Sequence, residues 1–474
     1  MQRVKLYLVI VMTLSLAACG GATLMSAEDE ARIGAAQHPK IIAEFGGVYD
    51  NPKLTAYVEK VMARIQAASD APDQSYRITI LDTPIVNAFA LPGGYTYITR
   101  GLLALANNEA ELAGVIGHEI AHVTARHSAR RHTASVGTAV VAGVLGAVIN
   151  AGTGVNANLA SDLLNAGGGL LLAGYSRENE YEADNLGIQA LARAGYQPQA
   201  QADFLAAMGA YARFKTGGAS DKTSWFATHP NNKARVKKAR EKADAQESVA
   251  APHIGRAAHL AAIDGMVYGD GPAQGIVKGR RFAHADLRLQ FEVPRGFQLQ
   301  NAPRRVTAVH ANNMQIIFDL DERVGFEPLE DYMQNSWAAG ADLTQMTALR
   351  IDGRHAVSGE VKTANGVAFL LAIADGETRL MRFGVIADTA QADAARLAMK
   401  SLQRQIDFLN ETQTAKLKPL RLRVVTVQEG DTLASVAGRM GGALEGRIER
   451  LRVLNHLAAN ATLKPGQSLK SVSD

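Results

Sequence analysis

Cysteine is almost absent from this chain: Cys19 is the only one in 474 residues. A disulfide needs two thiols, so no intramolecular staple is available and the fold rests on its packed core, for which the length suffices. A surplus of one charge is lacking as well. Lys and Arg number 50 against 46 Asp and Glu, and without Arg3 and Lys5 the balance is 48 to 46. Such parity argues against a nucleic-acid partner. Nor is there an apolar run of the roughly 18 residues that a spanning helix requires. Leu6 to Leu14 is too short, and the stretch from Ala134 to Gly174, whose one charged residue is Asp162, is interrupted by glycine and asparagine. With 47% hydrophobic and 20% charged residues, the composition is that of an ordinary soluble chain with two or three domains.

What is present begins with an export signal: basic Arg3 and Lys5, the apolar run, and small residues just before Cys19. Leu16-Ala17-Ala18-Cys19 resembles a bacterial lipobox, in which the cysteine is lipidated and becomes the new amino terminus. The resemblance implies a signal peptide over residues 1–18 and a lipidated tether over 19–26. Acyl chains hold such a protein at the membrane with about 0.8 kcal/mol per buried methylene. Gly20, where an aspartate would retain the protein elsewhere, resembles an outer-membrane address.

Further along, helical spacing marks Leu54, Tyr57, Val58, Val61 and Ile65. Residues 76–81 alternate like a strand, and Gly94 to Thr99 follows as another after the turn Pro92-Gly93-Gly94. A helix is expected from about Asn108 to Arg131, a pair of small-residue helices from Ala134 to Gly174, and further helices from Glu178 to Ala194 and Asn231 to Ala245. Residues 251–277 read as a linker. Beyond them the period becomes two, at Leu287, Leu289, Phe291 and Val293, with Asp352-Gly353 and Asp375-Gly376 as hairpin turns. Residues 278–412 are therefore expected to form an antiparallel α+β accessory domain, with helices near Leu329 to Trp337 and Ala390 to Leu402 and no catalytic constellation.

The chemistry lies in His118-Glu119-Ile120-Ala121-His122. Residues four apart share a helix face, so His118 and His122 can present two imidazoles to one ion. A catalytic zinc takes three protein ligands at about 2.0–2.2 Å and keeps one position for water. Glu119, beside a ligand, can reach that water as general base. His127 falls on the opposite face of a continuous helix, and His132 lies about 15 Å beyond His122 along the axis, so neither is expected to reach the ion. A third ligand must come from elsewhere. The acidic run Arg177 to Asp184 can supply it, and spacing leaves the pairs Glu178 with Glu182 and Glu180 with Asp184 both open.

Four motifs in order then resemble the HtpX/BepA-type zinc metallopeptidases, gluzincins related to the CAAX prenyl endopeptidases. They are Asn87-Ala88-Phe89-Ala90-Leu91-Pro92-Gly93-Gly94, the H-E-x-x-H sequence, Ser176-Arg177 leading into Glu180-Tyr181-Glu182-Ala183-Asp184, and Thr228-His229-Pro230 with Arg235. The resemblance covers roughly residues 27–245 and implies a mainly α-helical zincin-type domain over 27–250, with a small sheet and one Zn2+ per chain. It implies Glu180 as third ligand and Asp184 as the group orienting a ligand histidine. It further implies His229 as a residue that approaches the zinc to block or assist it, Arg235 beside the site, and Asn87, Ala88, Phe89 and Ala90 as the edge strand along which substrate lies. Integral-membrane relatives embed this site among spanning helices, which are lacking here, so the periplasmic branch fits better.

The tail, residues 423–474, contains Val425 to Leu433, Leu454-Asn455 and Leu463 to Leu469. It resembles a LysM module, a small βααβ domain that binds N-acetylglucosamine glycans such as peptidoglycan. Together these readings describe a multidomain, lipid-anchored protein on the periplasmic side of the outer membrane that hydrolyses peptide bonds of misfolded or immature envelope proteins. Two rivals stand beside this reading: a periplasmic chaperone or assembly factor with a latent protease site, and a peptidoglycan-associated hydrolase. The second is weakened because neither H-x-H nor H-x-x-x-D occurs among the twelve histidines.

Overall fold

Asn51 and Pro52 open helix α2 (Pro52–Ala67), the asparagine side chain accepting from Leu54 N at 3.1 Å and the proline filling the first turn, where no N–H is needed. Leu54, Val58, Val61, Met62 and Ile65 are all buried, so the helical spacing seen in the sequence is the face that enters the core. Each such side chain contributes roughly 1.5–3 kcal/mol on burial. The computed structural model describes residues 25–131, 174–216, 229, 233–246, 251–322, 327–362, 366–442 and 446–473. The small-residue segment from Ala134, His132, and the segment containing Cys19 lie outside the described residues.

Helix α1 (Ala27–Glu44) precedes α2, and a three-stranded sheet follows: β1 (Arg77–Leu81), β2 (Ala88–Leu91) and β3 (Tyr95–Thr99) in the order β1-β3-β2. β1 runs parallel to β3 and β2 antiparallel to it, which leaves β2 at an edge. The turn between β2 and β3 requires glycine: Gly93 and Gly94 have φ +82° and +80°, and a Cβ on Gly94 would stand 2.1 Å from Ser75 O.

Helix α3 (Arg100–Leu105) then leads into α4 (Glu109–Thr124), which is buried without a break from Ala110 to Val123. A helix covered on every side is a central one. α5 (Arg177–Arg193) crosses it closely, since a Cβ on Gly187 would meet His118 N at 3.0 Å and Gly117 C at 3.2 Å. α6 (Gln199–Lys215) and α7 (Lys233–Asp244) complete the helical layer.

Residues 251–277 are not a linker. They contain α8 (Arg256–Ile263) and β4 (Val267–Tyr268), and Leu260, Ile263 and Met266 join the peptidase-side core. Polar side chains of this segment face inward to carbonyls distant in sequence: His259 Nε2 lies 3.0 Å from Ala106 O, and Arg256 donates to Asn107 O at 3.0 Å.

The accessory domain is antiparallel as expected. β5 (Ile276–Lys278), β6 (Arg281–His284), β7 (Leu289–Glu292) and β15 (Ile406–Phe408) form one sheet. β8 (Phe297–Ala302), β9 (Arg305–His310), β10 (Gln315–Glu322), β11 (Asp342–Ile351), β12 (Arg354–Lys362), β13 (Gly366–Asp375) and β14 (Arg379–Asp388) form a seven-stranded second, in the order β11-β12-β13-β14-β10-β9-β8. Phe282, Phe291, Phe318 and Phe383 meet between them, and helix α9 (Ala392–Gln403) buries Ala395, Ala398, Met399 and Leu402. The Asp352-Gly353 turn has φ +44° and +79°, as a two-residue hairpin loop needs.

The tail is a βααβ unit: β16 (Leu420–Thr426), α10 (Leu433–Gly438), α11 (Arg447–Leu454) and β17 (Ser468–Ser473), with β16 and β17 antiparallel and β4 added as a third strand. It is fused to the helical layer, not hung from it. Leu422 and Val453 share the core of α2 and α4. Lys470, fully buried, donates to Ala104 O, Leu105 O and Ala106 O at 2.8, 2.9 and 2.7 Å, the carbonyls left unpaired where α3 ends. Burial pushes its amine well below the usual range and pushes the Glu111 carboxyl up to about 7. Among the described residues no helix is long and apolar enough to cross a membrane. Replacing Lys470 by alanine removes that donor from three buried carbonyls, and a loss of about 1–3 kcal/mol is expected in chemical denaturation of the full chain. A Lys470→Ala chain as stable as the parent would mean that the tail merely adjoins the helices.

Candidate metal centre

Helix α4 begins where Asn108 accepts from Glu111 N at 2.8 Å, and α5 begins where Ser176 accepts from Asn179 N at 3.2 Å. These caps set the phase of the two helices, and their close crossing brings His118, Glu119 and His122 against Glu180 and Asp184. All five are buried. His118 Nε2 and His122 Nε2 lie 3.0 Å apart, Glu180 Oε1 is 3.4 Å from His122 Nε2, and Glu180 Oε2 is 3.7 Å from His118 Nε2. His229 adds its Nδ1 at 3.0 Å from Glu180 Oε1 and 3.3 Å from His118 Nε2. One ligand atom from each of the four residues falls within 4.8 Å of every other. Donors at about 2.0–2.1 Å from a tetrahedral ion stand roughly 3.3 Å from one another, so these atoms fit the corners around a single metal.

The charges fit as well. Glu119, Glu180 and Asp184 are three buried carboxylates, and Arg235 is the cation paired with them, with bonds to Asp184 at 2.6 and 2.9 Å and a contact to Glu180. Three buried carboxyl groups facing one guanidinium make the cluster acidic in composition, which suits a bound cation. Burial opposes ionisation of Glu180, but His229 and Arg235 outweigh it and hold the carboxyl well below its usual range. Burial likewise opposes protonation of His229, yet Glu180 and Glu119 hold its imidazole above the usual value. Burial pushes His122 well below it, which keeps this ring neutral.

Around this cluster, Asp184 Oδ1 lies 3.0 Å from His118 Nδ1, the nitrogen facing away from the cluster, and Gln201 holds Asp184 at 2.8 Å. Among the described residues neither carboxylate oxygen of Glu119 has a hydrogen-bond partner, and burial raises its carboxyl. His229 Nε2 lies 3.6 Å from Glu119 Oε1. A buried carboxylate with open lone pairs beside a ligand set is placed to take a proton. Asn87 precedes edge strand β2, whose Ala88, Phe89 and Ala90 are buried beside α4, with Phe89 stacked on Tyr97 at 4.9 Å. A small cleft lined by Ala90, Leu91, His122, Val123, Arg126 and Tyr175 joins that strand to the histidines.

Of the two acidic pairs that spacing left open, the structure brings Glu180 and Asp184 to the cluster. Glu182 points instead to His127, 3.1 Å from its Nε2. His127 is itself a neighbour that sequence reasoning missed. Helical phase placed it opposite His118, but α4 ends at Thr124, Arg126 takes φ +53°, and the turn returns His127 to 2.7 Å from His122 Nδ1. Arg126 is pinned there by Glu30 at 3.1 Å and by Met25 O at 2.6 Å, residues far away in sequence. Tyr175, also unanticipated, stacks on His122 at 3.9 Å with 16° between the rings. Of the motif around His229, Thr228 and Pro230 lie outside the described residues.

Residues 52–243 match the family model described as Peptidase family M48, and residues 425–471 match the LysM domain. Among curated proteins, the mitochondrial metalloendopeptidase OMA1 of Schizosaccharomyces pombe is 30% identical over 219 residues, covering 46% of this chain and 62% of that protein. The beta-barrel assembly-enhancing protease of Yersinia pestis is 32% identical over 229 residues, 47% of this chain and 46% of the relative. The protein of that name in Escherichia coli K12 is 31% identical over 200 residues, 41% and 40% of the two chains. The chain thus spans less than two thirds of each of these relatives. His118, His122, Glu180 and His229 all lie inside the region that matches Peptidase family M48, and the LysM-domain match lies at the other end of the sequence, over the βααβ unit.

Proposed function

We propose that this chain is a zinc-dependent endopeptidase in which His118, His122 and Glu180 hold the ion and Glu119 is the general base. The observation that carries the reading is the four-atom cluster, whose spacings match the corners around one metal beside a buried carboxylate with free lone pairs. Zinc bound there supplies Lewis-acid polarisation of the scissile carbonyl. Glu119 takes a proton from the attacking water at its carboxylate and passes it to the leaving amine nitrogen. Asp184, held by Arg235, keeps the His118 ring turned toward the ion. Extended substrate lies along β2, whose outer edge offers main-chain N–H and C=O groups and therefore makes little demand on sequence.

Substrates that unfold or fail to assemble suit such an edge, and two relatives are named as beta-barrel assembly-enhancing proteases. Misfolded or immature envelope proteins on the periplasmic side are the proposed targets. Lipidation of Cys19 anchors the chain at the outer membrane, and the LysM domain engages peptidoglycan. His229 Nδ1 occupies the fourth corner, where substrate or water must enter, so the arrangement is a closed one and His229 must withdraw for turnover. That same contact favours the second reading, an assembly factor whose protease site is latent until released.

Three outcomes test the reading. Glu119→Gln should keep zinc but lose casein or denatured outer-membrane-protein cleavage by about 10²–10⁴-fold, as removal of a general base does; equal cleavage by both chains would sink the mechanism. Metal analysis should find far less zinc in Glu180→Ala than in Glu178→Ala, and the reverse order would move the third ligand elsewhere. His229→Ala should speed casein cleavage several-fold if the histidine closes the site; slower cleavage with zinc retained would make it an assisting residue instead.

A further inference from the structure

The two histidines of the cluster are supported in different ways. His118 Nδ1 faces a buried carboxylate, Asp184. His122 Nδ1 faces another imidazole, His127 Nδ1 at 2.7 Å, and the far nitrogen of that ring, Nε2, faces Glu182 Oε2 at 3.1 Å. Arg130 holds Glu182 with two bonds of 3.2 Å, and His127 is fully buried. From these contacts we infer that His127 and Glu182 are positioning residues for the metal site, a relay that fixes which nitrogen of His122 carries its proton.

The deduction runs inward from the carboxylate. An ionised carboxylate only accepts, so His127 Nε2 carries the hydrogen and donates it to Glu182. The neutral His127 ring then has a bare Nδ1, which accepts. His122 Nδ1 is the donor to it, and His122 Nε2 is left with its lone pair facing His118 Nε2 and Glu180. Every hydrogen bond in the chain is satisfied by this one arrangement, and the opposite one would turn an N–H toward the ion. Tyr175, stacked on the His122 face, keeps the ring in the plane that both contacts need. Partners behind a ligand histidine raise its basicity and typically matter by 10–100-fold in metal affinity. Here the partner is reached through a second ring, and the carboxylate at its end is only half-buried, so the relay links a dry site to the surface.

This inference rests on His122 being a metal ligand, so zinc binding by the unaltered chain is measured first, by competition with a chromogenic chelator. His127→Ala is expected to weaken zinc by about 10–100-fold. His127→Asn, whose carbonyl can accept from His122 Nδ1, should recover much of that loss. Glu182→Gln, whose amide can donate as well as accept, should weaken zinc in the same direction, and this half-exposed position gives a variant that folds. Thermal unfolding of the metal-free variants should match the parent. The relay is overturned if His127→Ala binds zinc as tightly as the parent. It is equally overturned if the asparagine variant does no better than alanine while both lower the stability of the metal-free chain. Failure of the unaltered chain to bind zinc would overturn the metal reading itself, and the relay with it.

Discussion

A buried guanidinium holds the centre of this protein together. Arg235, on α7, has no exposed surface of consequence and binds Asp184 and Glu180, both from α5. Without it, three carboxylates would sit uncompensated in a dry interior, and breaking a buried pair of this kind costs about 3–5 kcal/mol. With it, Asp184 stays ionised against His118, and together with His229 it holds the Glu180 carboxyl below its usual range. The same residue therefore serves folding, by tying α7 to α5, and chemistry, by keeping two carboxylates charged.

The site is built on rigid elements in consequence. Gly117 and Gly187 let α4 and α5 touch, and a Cβ at Gly187 would stand 3.0 Å from His118 N, on the backbone of the histidine itself. The tail adds to this rigidity from the other end. Lys470, His456 and Arg256 all contact the carbonyls between Leu105 and Asn107, just before α4 begins. The βααβ tail is thus part of the support beneath α4, and its loss would reach the histidines through the elbow between α3 and α4.

His229 touches both halves of the cluster. Its Nδ1 occupies a corner of the ligand set while its Nε2 faces Glu119, so one ring engages both the ligands and the proposed base.

Much of this was legible in the order of residues. Spacing alone put His118 and His122 on one face, because a helix repeats every 3.6 residues whatever surrounds it. Alternation exposed the accessory sheets, and glycine in positive-φ turns marked their hairpins. Local pattern did not distinguish Glu180 from Glu182, since both lie four from another acid and only the crossing of α4 and α5 decides which one meets the histidines. It misread residues 251–277, whose polar side chains are satisfied by carbonyls distant in sequence. It also extended α4 past Thr124, because the turn at Arg126 is held by Glu30 and Met25. The sequence by itself determined the chemistry available, two imidazoles and a base on one helix. Only the tertiary structure decided which carboxylate meets the histidines, that His229 lies against them and that His127 stands behind His122, because each of those contacts joins residues whose separation along the chain carries no periodic signal.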